Sequence, residues 1–269
     1  MRALPVTVLA LCGLAATACG GTAGGQASAN RPAAPAPAPV AGAQAAVVSS
    51  QPLKGKVVVI DPGHNGGNAK NPKAINRKVN VLTQWKACDT TGTSTNDGYS
   101  EAAFTWDVSQ RLTKILKQRG ATVVLTRSDN NSVGPCITER AAIGNKAKAD
   151  AAISVHADGS APANHGFHVI MPKKINGPVD PVVPESRELG VDVRDSLAKV
   201  TGLPYSTYIG VKALDFRNDL GGLNLSTVPK VFIECGNMRH AGDAARFKTP
   251  AFRQKIALGL ADGLQIYLK

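Results

Sequence analysis

Val57-Val58-Val59-Ile60, four consecutive β-branched residues, run into Asp61-Pro62-Gly63-His64. So short an apolar run, closed by a Pro-Gly pair, is a buried strand that stops abruptly. A strand with no polar alternation is covered on both faces, which places it inside a parallel sheet. In open α/β sheets ligands gather beyond the carboxyl ends of the strands, and His64 stands at such an end. A single loop histidine is most simply explained by a backbone partner. Two further strands end in the same way downstream.

Ala149 to Val155 is the second, ending at His156-Ala157-Asp158-Gly159. Pro229 to Ile233 is the third, terminated by Glu234-Cys235-Gly236-Asn237. Between and around them the period changes. Phe104, Val108, Leu112, Ile115 and Leu116 recur at three- and four-residue steps, so Ser100 to Arg119 reads as a helix stopped by Gly120. Ala121 to Thr126 and Gly166 to Met171 read as strands. Helices are expected from Ile137 to Lys148, around Leu189, Val193, Leu197 and Val200, and around Phe252, Ile256, Leu260 and Leu264. Strands alternating with helices predict one α/β domain with a mostly parallel twisted sheet and helices on both faces. Asn65 to Tyr99 shows no sustained period and reads as a long loop forming a wall or lid of a cleft.

A hydrophobic content of 43% over 269 residues supports one sizeable core, but the start of the chain does not belong to it. Arg2, an apolar run from Leu4 to Leu14 and then small residues make a secretory leader, too short for a permanent span. Ala16-Thr17-Ala18 before Cys19 offers a cleavage site, with lipidation of Cys19 as the alternative. The reading is a leader over 1–19, a disordered Ala/Pro/Gly-rich linker over 20–52 and a folded domain over 53–269. No second hydrophobic span follows, and an exported protein of the periplasm or cell envelope is expected, as a monomer. Export favours pairing of cysteines, and Cys88 with Cys136 would join two loop-like segments. Cys235 follows a buried strand and reads as a small core residue. The net charge of +12 suits an anionic polymer. Nucleic acid is not indicated: aromatics are only 4% and do not interleave with the basic residues.

Three strands thus end in His64, His156 and Glu234, and a helix begins with Glu101. Glu101 lies three residues before Phe104 and seven before Val108, so its carboxylate falls on the apolar stripe, where a buried acid needs a partner. If the strands are parallel, their terminal residues meet at one edge. Two imidazoles and a carboxylate with a position left open form the ligand set of a catalytic zinc. Oxygen-only and four-cysteine sites do not fit this set. The remaining carboxylate would be the base that takes a proton from the attacking water. Spacing does not decide which glutamate ligates and which is the base. A His-Glu-x-x-His helix is absent from the sequence.

At these residues the chain resembles the zinc-dependent N-acetylmuramoyl-L-alanine amidases of the Amidase_3 family, over nearly all of 56–269. The resemblance rests on Val58-Val59-Ile60-Asp61-Pro62-Gly63-His64, Ser100-Glu101, Gly120 to Arg127, Arg140 with Asn145 and Ala149-Asp150, Ile153 to Ala157, and Pro229 to Asn237. It implies one zinc per chain held by His64, Glu101 and His156, with Glu234 as the catalytic glutamate. It further implies hydrolysis of the amide between N-acetylmuramic acid and L-alanine in peptidoglycan or its muropeptide fragments. Three features depart from the family pattern and bear on substrate preference: Asn65-Gly66-Gly67-Asn68 after the first histidine, the long 65–99 segment with Cys88, and Asp158 where Asn is usual.

Asp61 and Asp158 are candidates to orient the imidazoles, and Arg127, Arg140, Arg217 and Asn237 to meet substrate. His165, His168 and His240 read as exposed or structural. Trp85 is either a sugar-stacking platform or packing for its loop. With no binding module in the sequence, soluble fragments or loosely engaged strands are the expected substrates. Two other readings remain at this level: a zinc peptidase cutting within the stem peptide, and a non-catalytic wall-binding protein.

Overall fold

The computed structural model describes residues 51–269. The expected leader, with Cys12 and Cys19, and all of the linker but Gln51 and Pro52 lie outside the described residues. The described chain forms strands β1 (Val57–Pro62), β2 (Lys78–Asn80), β3 (Trp85–Ala87), β4 (Thr122–Leu125), β5 (Ala151–Asp158), β6 (His168–Pro172), β7 (Leu214–Arg217) and β8 (Lys230–Asn237). Its helices are α1 (Pro72–Ile75), α2 (Glu101–Gln118), α3 (Ile137–Lys146), α4 (Val183–Thr201), α5 (Gly221–Asn224), α6 (Ala241–Lys248) and α7 (Pro250–Leu268). Six strands make one sheet in the order β4-β1-β5-β8-β6-β7. Every neighbouring pair is parallel except β6 with β8.

The side chains divide between the two faces with the strand period of two. Val58 and Ile60, Ile153 and Val155, Val231 and Ile233, and Val169 and Met171 all enter one large core cluster, together with the apolar stripes of α2, α4 and α7. The intervening residues face the other way. There Val59 and Ala152 form a small apolar cluster with Ala149 and Val228, and Asp61, Ser154, His156, Lys230, Phe232 and Glu234 line a cleft. α3 lies on this second side and sends Arg140 to Asp61. Helices therefore cover both faces, as expected, but unequally: the dry face carries the three long ones.

The strands run further than the apolar runs suggested. β5 and β8 continue through His156 and Glu234, so these residues belong to the last pairs of the ladder and do not follow it. Asn65 to Tyr99 is not a featureless loop: it holds α1 and the two-stranded sheet of β2 and β3. Strands of three residues are too short to show a period, which is why the pattern missed them. β7, α5 and α6 were likewise not singled out.

The β2–β3 hairpin is braced on several sides. Thr83 Oγ1 donates to Asn218 O at 2.7 Å, Asn224 Nδ2 donates to Val81 O at 2.8 Å, and Lys86 Nζ meets Asp219 Oδ2 at 3.2 Å. Just beyond β3, Cys88 is bonded to Cys136 at the start of α3, with Cα atoms 4.5 Å apart. Cys235 is buried with a free thiol and faces the dry core.

Candidate metal centre and catalytic cleft

His64 lies two residues past the end of β1, and its backbone has φ +58°. A non-glycine residue in this left-handed region is uncommon and costs ~1 kcal/mol or more, so the surroundings must hold it. Three residues do so. Arg140 Nη2 donates to His64 O at 3.1 Å. At the ring, Nδ1 lies 3.1 Å from Thr90 O, 3.2 Å from Thr90 Oγ1 and 3.5 Å from Asp89 Oδ1. This leaves Nε2 pointing at Glu101 Oε2, 3.1 Å away.

Glu101 opens α2, behind a Ser100 hydroxyl that accepts from Ala103 N at 3.3 Å. Its carboxylate is buried, and Oε1 lies 2.9 Å from His156 Nδ1. Backbone amides fix both oxygens: Thr93 N donates to Oε2 at 2.9 Å and Ala157 N to Oε1 at 3.2 Å. One ligand atom from each of His64, Glu101 and His156 falls within 4.8 Å of the other two. Two glycines make room for this cluster. A Cβ on Gly63 would come within 2.2 Å of His156 Cε1, and one on Gly92, which has φ +73°, would meet His64 Cδ2 at 2.7 Å and Glu101 Oε2 at 2.8 Å. The His156 ring stacks on Phe232 with centroids 3.9 Å apart, which fixes its plane.

The electrostatics follow from this crowding. Burial alone would raise the Glu101 carboxyl, but the two imidazoles beside it hold it well below the usual range. Burial would lower His64, yet Glu101 and Asp89 push it up to about 10. His156 is lowered by its burial. Two imidazoles and one carboxylate, with no thiolate turned towards them, are a donor set that suits zinc.

Glu234 is held between two histidines, paired with His156 on β5 and with His168 on β6. Its Oε2 is shut off from solvent and has no hydrogen-bond partner among the described residues. Burial, then the Glu101 and Asp158 carboxylates, raise its proton affinity well above that of an ordinary glutamate. His64, Glu101, His156, Asp158 and Glu234 all line one cleft of about 570 Å³, of which Trp85 and Lys78 form a wall.

The residues assigned to the surroundings are disposed otherwise than expected. Asp61 touches neither imidazole. It accepts from Thr126 Oγ1 at 2.7 Å, Arg140 Nη1 at 2.9 Å, Ser154 Oγ at 2.9 Å and Lys230 Nζ at 3.1 Å. Asp158 accepts from Tyr208 Oη at 2.8 Å and does not orient an imidazole. Arg127 and Arg140 are buried, so neither is a solvated arginine awaiting substrate. Arg127 Nη2 donates to Ala102 O at 3.0 Å, and Arg140 Nη1 donates to Pro62 O at 2.7 Å. Arg217 is half-buried and pairs with Asp219 at 2.7 Å. Asn237 is fully buried and ties down the chain after β5, donating to Asn164 O at 2.7 Å and accepting from Ser160 N at 3.1 Å. His240 caps α6, accepting from Asp243 N at 3.2 Å, and stacks with His165 at 5.0 Å between centroids.

Sequence reasoning missed Asp89, Thr90 and Tyr208; His168, read as exposed or structural, is buried beside Glu234. Asp89 had a readable signal: it adjoins Cys88, whose pairing with Cys136 draws that segment to the mouth of the sheet.

The sequence model of the Amidase_3 family, described as N-acetylmuramoyl-L-alanine amidase, matches residues 58–266. The chain is 38% identical over 218 residues to N-acetylmuramoyl-L-alanine amidase Rv3717 of Mycobacterium tuberculosis, a match covering 80% of this chain and 88% of that protein. Its fold is similar to the crystal structure of the N-acetylmuramyl-L-alanine amidase Ami1 from Mycobacterium smegmatis, with a TM-score of 0.76 and 39% identity over 80% of this chain and 98% of the other. The apo form of Ami1 from Mycobacterium abscessus gives a TM-score of 0.74 and 41% identity, over 80% of this chain and all of the other.

Proposed function

Since the chain belongs to the Amidase_3 family of N-acetylmuramoyl-L-alanine amidases and is an amide hydrolase of peptidoglycan, we propose that it works with one zinc ion and cuts the bond between the lactyl group of N-acetylmuramic acid and L-alanine. The observation that carries this reading is the pairing of a clustered His64, Glu101 and His156 with a carboxylate, Glu234, whose Oε2 has no partner. The donor set supports zinc, and the three residues named are the ones that would hold it. Bound there, zinc supplies Lewis acidity, bringing the pKa of a water towards ~7 and polarising the scissile carbonyl.

The chain's own groups do the remainder. Thr93 N and Ala157 N fix Glu101, while Asp89 and Thr90 fix the His64 ring, so the cluster is organised before substrate arrives. Glu234 takes the proton of the attacking water and returns it to the nitrogen of the departing alanine. A proton affinity raised by burial and by neighbouring carboxylates suits a group that must accept a proton and then hold it between the two steps. The products are a glycan strand and a free stem peptide.

Such an activity belongs in the cell envelope, and we infer that the leader-like start of the sequence takes the protein there, with Cys19 as the alternative anchoring point. No helix among the described residues is long and apolar enough to cross a membrane. Mass spectrometry of digested peptidoglycan tests the proposal. Intact stem peptides beginning in L-alanine are expected, and cuts within the stem would assign a peptidase instead.

A further inference from the structure

Trp85 is one of only two tryptophans in the sequence, and it is 66% exposed although it lines the catalytic cleft. Packing of its own loop, one of the two roles open to it, does not account for that exposure. The hairpin beneath it is rigid. The Cys88–Cys136 bond, the Thr83 and Asn224 hydrogen bonds and the Lys86–Asp219 ion pair hold β2 and β3 without using the indole. In the register of the hairpin Trp85 pairs with Asn80, and Lys78 with Ala87, so all four side chains share one face. Lys78 makes no ion pair among the described residues and lines the same cleft. That face therefore offers a flat apolar plate with a cation beside it, continuous with the site of cleavage.

We propose that Trp85 is a sugar-binding platform, on which a pyranose ring flanking the reacting N-acetylmuramic acid stacks. The axial C–H groups of a β-1,4-linked amino sugar make a weakly polar face that matches an indole. A stem peptide has no comparable plate, and its carboxylates suit Lys78 better. The inference rests on the amidase reading above and extends it: the cleft selects a strand of several sugars over a single muramic acid, a selection made without any separate binding module.

The test compares two substrates, a soluble peptidoglycan strand bearing stem peptides and muramyl dipeptide. In Trp85→Ala the ratio of kcat/KM for the strand to that for the dipeptide is expected to fall by about tenfold or more, mainly through KM. Trp85→Tyr should restore most of it, and this variant carries the comparison if the alanine variant does not fold. Separately, an uncharged N-acetylglucosamine tetramer is titrated into Glu234→Gln protein while indole emission is followed. A saturable change is expected, lost when Trp85→Phe leaves Trp106 as the sole indole. An unaltered substrate ratio, or an emission change that survives Trp85→Phe, overturns the platform. Failure of the amidase reading would look different: no lactyl-amide product from either substrate, with the tetramer titration still deciding the role of Trp85.

Discussion

The Asp89 carboxylate lies 3.5 Å from His64 Nδ1, on the side of the ring turned away from Glu101, while its other oxygen accepts from Arg140 at 3.1 Å. Arg140 in turn binds Asp61, and Asp61 binds Lys230, so a chain of alternating charges runs from the floor of the sheet to the imidazole. Carboxylates placed behind a ligating imidazole fix its tautomer and strengthen it as a donor. Asp89→Asn keeps the size and a hydrogen bond but loses the charge. Zinc affinity, measured by competition with a chromophoric chelator, should fall ~10–100-fold. An unchanged dissociation constant would leave Thr90 alone as the group that orients His64.

Glu234 and the three clustered residues should separate cleanly in their effects. Glu234→Gln is expected to bind one zinc per chain and to lose ~10²–10⁴-fold in kcat. His156→Ala should lose the metal itself. Metal content after dialysis and release of stem peptide, measured on the same samples, distinguish the two. A metal-loaded Glu234→Gln with ordinary turnover would remove that residue from the proton transfer.

The cystine closes a loop of 48 positions and pins the hairpin that walls the cleft. Chain-entropy reasoning gives it about 2–4 kcal/mol of stability. Replacing Cys88 and Cys136 together by serine should lower the unfolding free energy by that amount, read as a lower denaturant midpoint, and reduce turnover of peptidoglycan strands. If the double variant unfolds at the wild-type midpoint, the bond has no part in stability.

Asp61 gives the fold a defined acid limit. Burial by itself would raise its carboxyl, but Lys230 and Arg140, with the Thr126 hydroxyl, hold it well below the usual range. A carboxyl depressed in the folded state contributes stability in full above its unfolded value of about 3.9, and that contribution is lost as pH falls towards the folded value. The melting temperature should therefore drop on acidification below about pH 4. Asp61→Asn should flatten that drop. It should also destabilise the protein at pH 7 by about 3–5 kcal/mol, because Lys230 would remain buried without a counter-charge and Arg140 would keep only Asp89. Thermal scans of both proteins from pH 7 to about pH 2.5 check this.

The sheet and its polar edge were legible because Val57 to Ile60, Ala151 to Ile153 and Val231 to Ile233 are apolar runs with the chemistry at or just beyond their ends. The inward side of Glu101 was legible for a similar reason: helical spacing from Phe104 and Val108 assigns it a face, and the residue is buried there. The supporting groups were not. Asp89 and Thr90 reach His64 across 25 and 26 sequence positions by way of a disulfide and two three-residue strands, none of which leaves a period. Arg127 and Arg140 were read as candidates to meet substrate, and both are buried. What holds them there is a set of buried carbonyls, at Pro62, Gly63, His64 and Ala102, that need donors.

One side of the sheet carries almost nothing but aliphatic side chains beneath α2, α4 and α7, and the other carries the sheet's own ionisable groups in the cleft, Asp61, His156, Asp158, Lys230 and Glu234. Foldability and selectivity are thus written on opposite surfaces of the same strands. A descendant of this chain could exchange its hairpin, lengthen it or recolour its charge to suit another wall polymer, and the scaffold behind would not register the change.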